Sequence, residues 1–244
     1  MEKVELVEFA TAAGLAAAAA GDWLLEVWAA RDGNTPYCVA LSGGRIARRF
    51  LSAAAVLAKQ QGRGLPDSLH FFWSDERCVR PADPESNFGL ARDCLLAPLA
   101  VADRQIHRLR GEVAANLAAA EGEAELRRFA SRQRHGQPVL DLVLLGLGED
   151  GHIASLFPGE SEEVMTSPAV FRPVLAAPKP PPRRLTMGYP AIAAARQVWV
   201  LVSGEGKEKA LRQSLTPAGL TPLARVLKSR DRTRIFVEKL SGST

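Results

Sequence analysis

The chain has 244 residues, a formal net charge of +4, 47% hydrophobic and 24% charged residues. This is an ordinary globular balance that can bury a large core and leaves no long disordered tract or internal repeat. The mild excess of Lys and Arg is not gathered into one patch, which excludes a nucleic-acid footprint; it suits a small anionic substrate or a solvated surface. Cys38, Cys78 and Cys94 are odd in number and form no C-x-x-C pair, so neither a disulfide framework nor a zinc knuckle is expected, and a reducing, cytoplasmic setting is.

The Ala-rich run from Ala10 to Ala20 has Glu2, Glu5 and Glu8 before it, where a signal peptide needs a basic segment. Asp22 and Glu26 interrupt it too soon for a membrane span. Residues Val7 to Ala30 are therefore expected to form an amphipathic helix, ended by Asp32-Gly33-Asn34. The strand Tyr37–Leu41 and the turn Ser42-Gly43-Gly44 come next, then a helix from Ile46 to Gln60 closed by Gly62 and Gly64. A second strand, Leu69–Trp73, runs into Ser74-Asp75-Glu76-Arg77, and Asn87 to Leu96 reads as a short helix.

A helix is predicted over Ala114–Arg134, with Glu123 and Arg127 four residues apart on one face. The apolar run Val139–Leu145 fits a central strand covered on both faces, as parallel sheets require. Pro178–Pro182 reads as a surface excursion beside the site, leading to Arg183–Met187. Gln197–Val202 is a strand that opens through Ser203-Gly204 into a helix near Lys207, and Arg234–Glu238 is a last strand. The β–α alternation predicts one open, mostly parallel α/β sheet, a single domain over residues 1–244, with function at the carboxyl ends of its strands.

Four strand ends carry the chemistry. Ser42-Gly43-Gly44-Arg45 is a glycine turn into a helix, where free backbone N–H groups favour an anion, although two glycines also serve a plain tight turn. Asp75, Glu76 and Arg77 follow a Phe/Trp strand and, taken alone, read as a charged loop with an internal ion pair sooner than as catalytic groups. Gly146, Gly148 and Gly151 match G-x-G-x-x-G, yet Glu149, Asp150 and His152 stand where a diphosphate would approach, so a nucleotide loop is discounted. One histidine with adjacent acids lacks metal-site spacing. His152, with a reference pKa of about 6.5, is suited to general-base work, and Asp150 can orient it. Lys207 at a helix start opposes the helix dipole, which a bound anion would relieve.

These residues stand in a pattern that is specific as a whole. Ser74-Asp-Glu-Arg77 with Ser86-Asn87, the string Gly148-Glu-Asp-Gly-His-Ile-Ala-Ser-Leu-Phe-Pro158, Arg184-Leu-Thr-Met187 and Gly204-x-Gly-Lys207 resemble the 6-phosphogluconolactonases, in order from about residue 37 to 215. The resemblance implies the open α/β fold shared with glucosamine-6-phosphate deaminases, with no cofactor and no metal. It implies hydrolysis of 6-phospho-D-glucono-1,5-lactone to 6-phospho-D-gluconate in the oxidative pentose phosphate pathway. His152 would activate water, Asp150 would position the base or the sugar, and Arg77 would contact substrate near the reacting carbonyl. Ser42, Gly43, Gly44, Asp75, Arg184 and Lys207 would hold substrate and its phosphate.

The partner implied is a small sugar-phosphate lactone, with neither nucleic acid nor membrane, for a monomer or small homo-oligomer. The phosphate turn departs from the family's Ser-Gly-Gly-Ser-Thr-Pro, reading Ser42-Gly-Gly-Arg-Ile-Ala47. A deaminase would carry glutamate five residues after the histidine, where Phe157 stands, and tyrosine in place of Arg77. A non-catalytic sugar-phosphate sensor would have no use for the base. Glu149 is assigned no role.

Overall fold

The computed structural model describes residues 3–30 and 35–239; the turn expected at Asp32-Gly33-Asn34 lies outside the described residues. In chain order the elements are β1 (Val4–Phe9), α1 (Ala12–Ala29), β2 (Tyr37–Leu41), α2 (Arg45–Gln60), β3 (Leu69–Trp73), β4 (Asp75–Arg77) and α3 (Asn87–Ala91). Then come α4 (Ala115–Phe129), β5 (Gln133–Arg134), β6 (Gln137–Pro138), β7 (Leu142–Gly146), α5 (Glu162–Thr166), β8 (Phe171–Val174) and β9 (Arg184–Met187). The chain continues through α6 (Tyr189–Ala194), β10 (Gln197–Val202), α7 (Lys207–Leu215), α8 (Pro222–Lys228) and β11 (Thr233–Glu238).

The main sheet has six strands in the order β1-β11-β10-β7-β2-β3, and every pairing is parallel. The open α/β sheet expected from the sequence is present. Because all six strands point one way, the turns after β2, β3, β7 and β10 emerge at one edge. The strand order reverses between β2 and β7, the kind of switch point where ligands bind in open α/β sheets. Leu142 to Leu145 of β7 are at most 4% exposed, and full burial of each such side chain contributes about 1.5–3 kcal/mol. Helices α1 and α2 cover one region of the sheet through Trp23, whose ring lies 5.7 Å from Phe50 and 6.4 Å from Phe71.

Two expectations about helix bounds are corrected. Residues Val7 to Phe9 belong to strand β1, not to the first helix, which starts only after Thr11 caps it by accepting from Gly14 N at 3.1 Å. β1 pairs with β11 from the far end of the chain, with Glu5 bridged to Arg232 and Arg234; no local periodicity reports such a partner. The helix expected to reach Arg134 stops at Phe129, because His135 and Gly136 take positive φ (50° and 77°) and fold β5 onto β6 as a tight hairpin. The Glu123–Arg127 pair within that helix does form, at 2.9 Å.

The sheet is also not alone. β4, β9 and β8 form a separate three-stranded antiparallel sheet, which carries Arg77 and Arg184 directly opposite each other. The strand expected over Val139–Leu145 is shifted to Leu142–Gly146, with Asp141 before it accepting from Cys38 N.

Candidate active site

The turn after β7 is built so that His152 and Asp150 face each other. His152 Nδ1 lies 2.5 Å from Asp150 Oδ1, and the His152 amide donates to the same oxygen at 3.3 Å. Gly148 N donates to the His152 carbonyl, and Gly151 N to the Gly148 carbonyl, closing a tight loop. Gly151 sits at φ +84°, and a Cβ there would come within 2.7 Å of Thr221. A Cβ on Gly148 would fall 2.0 Å from His152 Nδ1, so glycine at 148 is what leaves room for the imidazole.

A carboxylate only accepts hydrogen bonds, so the Nδ1 proton faces Asp150 and Nε2 keeps its lone pair. Burial pulls the imidazole below the usual histidine range and outweighs the Asp150 carboxylate, which pulls it up. Burial pushes the Asp150 carboxyl up, but the hydrogen bonds and charge of His152, with Lys179, hold it below the usual range. The pair thus rests as neutral imidazole and ionised carboxylate. Phe157 packs beside His152, its ring 4.9 Å from the His152 ring and 5.7 Å from the Arg184 guanidinium.

Asp75, Asn87, Ser155 and Arg184 form a buried chain beside this turn. Ser155 Oγ donates to Asp75 Oδ2 at 2.7 Å and accepts from Arg184 Nη1 at 3.3 Å, while Asn87 Nδ2 donates to Asp75 O and Oδ1. Asp75 is 3% exposed and its carboxylate is committed to these neighbours. The structure therefore gives it a positioning place, where the sequence reading put it in contact with substrate. Asn87 also reaches Gly43, where a Cβ would lie 1.8 Å from Asn87 Oδ1; this close approach ties the turn after β2 to the one after β3. Glu76 accepts from the backbone amides of Arg77, Asn87 and Phe88, each at 2.7 Å, and so caps α3 rather than entering the site.

Arg184 is also mostly committed. It is 4% exposed, and it donates to the carbonyls of Lys179, Pro180 and Pro181. It thereby holds the Pro-rich excursion against the site and sets Lys179 near the His152 pair. Lys179 is exposed, and its charge acts on Asp150, His152 and Lys207. The excursion beside the site was legible in the sequence; Lys179 within it was missed, because an isolated lysine among prolines reads as a solvated charge.

Arg77 donates through Nη1 to the Glu85 carbonyl at 2.6 Å and to Glu85 Oε2 at 3.2 Å, and its buried Nε has no partner among the described residues. Burial, and then the charge of Arg77, pull Arg184 below the usual arginine range. Two opposed guanidiniums are mutually destabilising unless an anion joins them.

On the other side of the switch point two helices begin without side-chain caps. Gly44 (φ +95°) starts α2 and Gly206 (φ +80°) starts α7, so their first N–H groups take no side-chain acceptor among the described residues. Lys207 opens α7. Burial, and then the nearby Arg45, pull its ammonium below the usual lysine range, with Glu149 acting in the opposite direction. Glu149 lies against Gly206, where a Cβ would meet its Cγ at 3.2 Å; its place is as the counter-charge of the Lys207 turn. Glu238, at the end of β11 and read from the sequence only as a strand residue, accepts from Ser203 Oγ at 2.7 Å and Gly204 N at 3.2 Å and orders that same turn. Arg45, which follows the Ser42-Gly43-Gly44 turn, stands close enough to Lys207 and Gly204 to form one cationic mouth with them. Among the described residues no group of three or more His, Cys, Asp or Glu converges as metal ligands would.

An oriented histidine beside a cationic mouth, both at the carboxyl edge of a parallel sheet, suits acid–base chemistry on a small anionic substrate. A sequence model described as "Glucosamine-6-phosphate isomerases/6-phosphogluconolactonase" matches residues 10–235. The 6-phosphogluconolactonase of Streptomyces coelicolor is 33% identical over 238 residues, spanning 94% of this chain and 90% of that protein. The solved 6-phosphogluconolactonase of Trypanosoma brucei superposes with a TM-score of 0.83 at 27% identity, covering 98% of this chain and 97% of that one. A monomeric glucosamine-6-phosphate deaminase shares the fold, with a TM-score of 0.78 at 18% identity over 96% of this chain and 97% of its own. The chain belongs to the glucosamine-6-phosphate isomerase/6-phosphogluconolactonase family.

Proposed function

We propose that this chain hydrolyses 6-phospho-D-glucono-1,5-lactone to 6-phospho-D-gluconate in the oxidative pentose phosphate pathway. The reading is that of a cytoplasmic single-domain enzyme without cofactor, a monomer or small homo-oligomer binding neither nucleic acid nor membrane. The observation that carries it is the His152–Asp150 pair with Nε2 left free. In this reading Nε2 takes a proton from water as the water oxygen bonds to the lactone carbonyl carbon. The imidazolium then returns that proton to the ring oxygen as its bond to the carbonyl carbon breaks, leaving a carboxylic acid that ionises and a free hydroxyl.

A lactone is an activated ester, so water attack needs no covalent nucleophile. Cys78 is ill suited to be one, since burial pushes its thiol up. Arg77 supplies positive charge for the developing oxyanion, and the uncapped starts of α2 and α7, with Lys207 and Arg45, hold the phosphate. Phe157 supports the lactonase over the deaminase: its apolar ring stands where the deaminase would place a second carboxylate.

The experiment supplies freshly generated lactone to the purified protein and follows acid release above the spontaneous rate, with ammonia release from glucosamine 6-phosphate in parallel. Hydrolysis without ammonia is the expected result; ammonia release, or no acceleration of either reaction, overturns the reading. Lys207→Ala should lower kcat/KM for the phosphorylated lactone by about 10- to 100-fold, the worth of one charge-assisted bond, chiefly through KM. Unphosphorylated gluconolactone should be hydrolysed equally by both proteins; an equal loss on both substrates would place Lys207 elsewhere than at the phosphate.

Asp150→Asn tests the orientation of the base. Asp150 raises the His152 pKa, so its removal should move the acid limb of kcat/KM to lower pH. The plateau should fall as well, because an amide N–H offered to Nδ1 favours the tautomer whose Nε2 is protonated. An acid limb that stays in place would show that the carboxylate is not coupled to the base.

A further inference from the structure

A second cleft lies at the opposite, amino-terminal edge of the main sheet. Its walls include Gln137, before β7, Arg196, before β10, and Arg230 to Arg232, before β11. The five residues of β7 place that edge roughly 15 Å from the His152 turn. The cleft has a volume of about 870 Å³, within the range of small-molecule sites. Five arginines line it (Arg134, Arg196, Arg225, Arg230 and Arg232) against two acids, Glu162 and Asp231.

Little within the protein neutralises this charge. Among the described residues, ion pairs reach only Arg196, at 3.8 Å from Asp141, and Arg232, which meets Glu5 while its side chain stays 78% exposed. Arg134 and Arg225 have none. Arg230 forms the floor, 6% exposed, donating to the carbonyls of Ile192, Ala193, Ala195, Arg196 and Arg232. Its Nε is buried without a partner, as is Oε1 of Gln137, which is 4% exposed. Burial, and then the charge of Arg134, pull the Arg230 guanidinium down to about 10. Met165, Pro190 and Ala194 give the cleft an apolar side.

We propose that this cleft is a second ligand site, for a small organic anion bearing two phosphoryl groups beside a planar or apolar body. Arg134 and Arg225 are the lining cations without an ion pair among the described residues, and guanidinium forks match phosphoryl oxygens two at a time. The apolar side, with Met165 and Pro190, takes the body. Neither Arg134 nor Arg225 belongs to the catalytic edge.

The test is calorimetric titration of the full chain with ADP, chosen as a diphosphate with a planar base, beside adenosine. ADP should bind saturably at one site in the wild type and in Lys207→Ala, whose anion mouth at the catalytic edge is impaired. The Arg134→Ala/Arg225→Ala protein should bind ADP about tenfold or more weakly, with lactone hydrolysis and Tm unchanged in the absence of ADP. Adenosine should bind far more weakly than ADP. The proposal is overturned if ADP gives no saturable heat up to ~5 mM, which is weaker than about 3 kcal/mol of binding. It is equally overturned if the double substitution leaves ADP affinity intact, or if Lys207→Ala abolishes it.

Discussion

Replacing His152 with alanine should lower kcat for lactone hydrolysis by about 10² to 10⁴, the worth of one positioned general base. The size of the effect follows from how completely the turn commits this imidazole to one task. Nδ1 faces Asp150 at 2.5 Å, which keeps the proton there and the lone pair on Nε2. Phe157 packs on the ring, and burial holds its pKa below the ordinary value of about 6.5, so the neutral, accepting form is favoured at neutral pH. The sign of the pH dependence is then set: the wild-type rate is flat at neutral pH and falls as pH drops through the lowered pKa, because the imidazolium cannot accept a proton. In His152→Ala that acid limb should vanish together with the rate, leaving what Arg77 and substrate binding supply. Steady-state kinetics from pH 4 to 8, corrected for spontaneous hydrolysis, decide it. A variant within about threefold of wild type, or one keeping the same acid limb, would remove His152 from the reaction.

Gly148→Ala should cost nearly as much activity while leaving every functional group in the chain. The added Cβ would sit 2.0 Å from His152 Nδ1, 2.1 Å from its Cε1 and 2.6 Å from Asp150 Oδ1. These are side-chain atoms at the mouth of the site, so the clash is relieved by swinging the imidazole and the carboxylate away rather than by unfolding the strand. The expected result is a fall in kcat of about 10²-fold or more, since misplacement by an ångström costs that much. Overpacking should cost stability about 1–3 kcal/mol, a Tm shift of several degrees. Full activity in Gly148→Ala would mean that the observed pairing of His152 and Asp150 is not the working arrangement. Global unfolding would mean that the turn, not the base, needs the glycine.

Much of the site was legible because it is written in contiguous strings. Gly148, Asp150, Gly151 and His152 lie within five positions of one turn, and the spacing of glycine, acid and histidine already implied an oriented base. Lys207 stood out in the sequence from its clash with the helix dipole alone, and the structure sets it at the start of α7 beside Arg45. The partners that organise these residues come from elsewhere in the chain. Ser155 is 80 positions from Asp75 and bonds to it, Glu238 is 35 positions from Ser203 and caps its turn, and Lys179 approaches the base only because Arg184 holds its loop.

The sequence by itself determined the parallel α/β class, the order of the chemically loaded strand ends and the placing of His152 next to Asp150 on one glycine turn, because apolar runs and glycine turns act over a few residues. Tertiary structure alone decided that Val4–Phe9 is a strand, since among the described residues its pairing partner is β11, from the far end of the chain. It also assigned Asp75 to internal scaffolding and Glu149 to countering Lys207. Those roles depend on which charges are buried together, and burial is a property of the packed sheet edge, not of any local stretch.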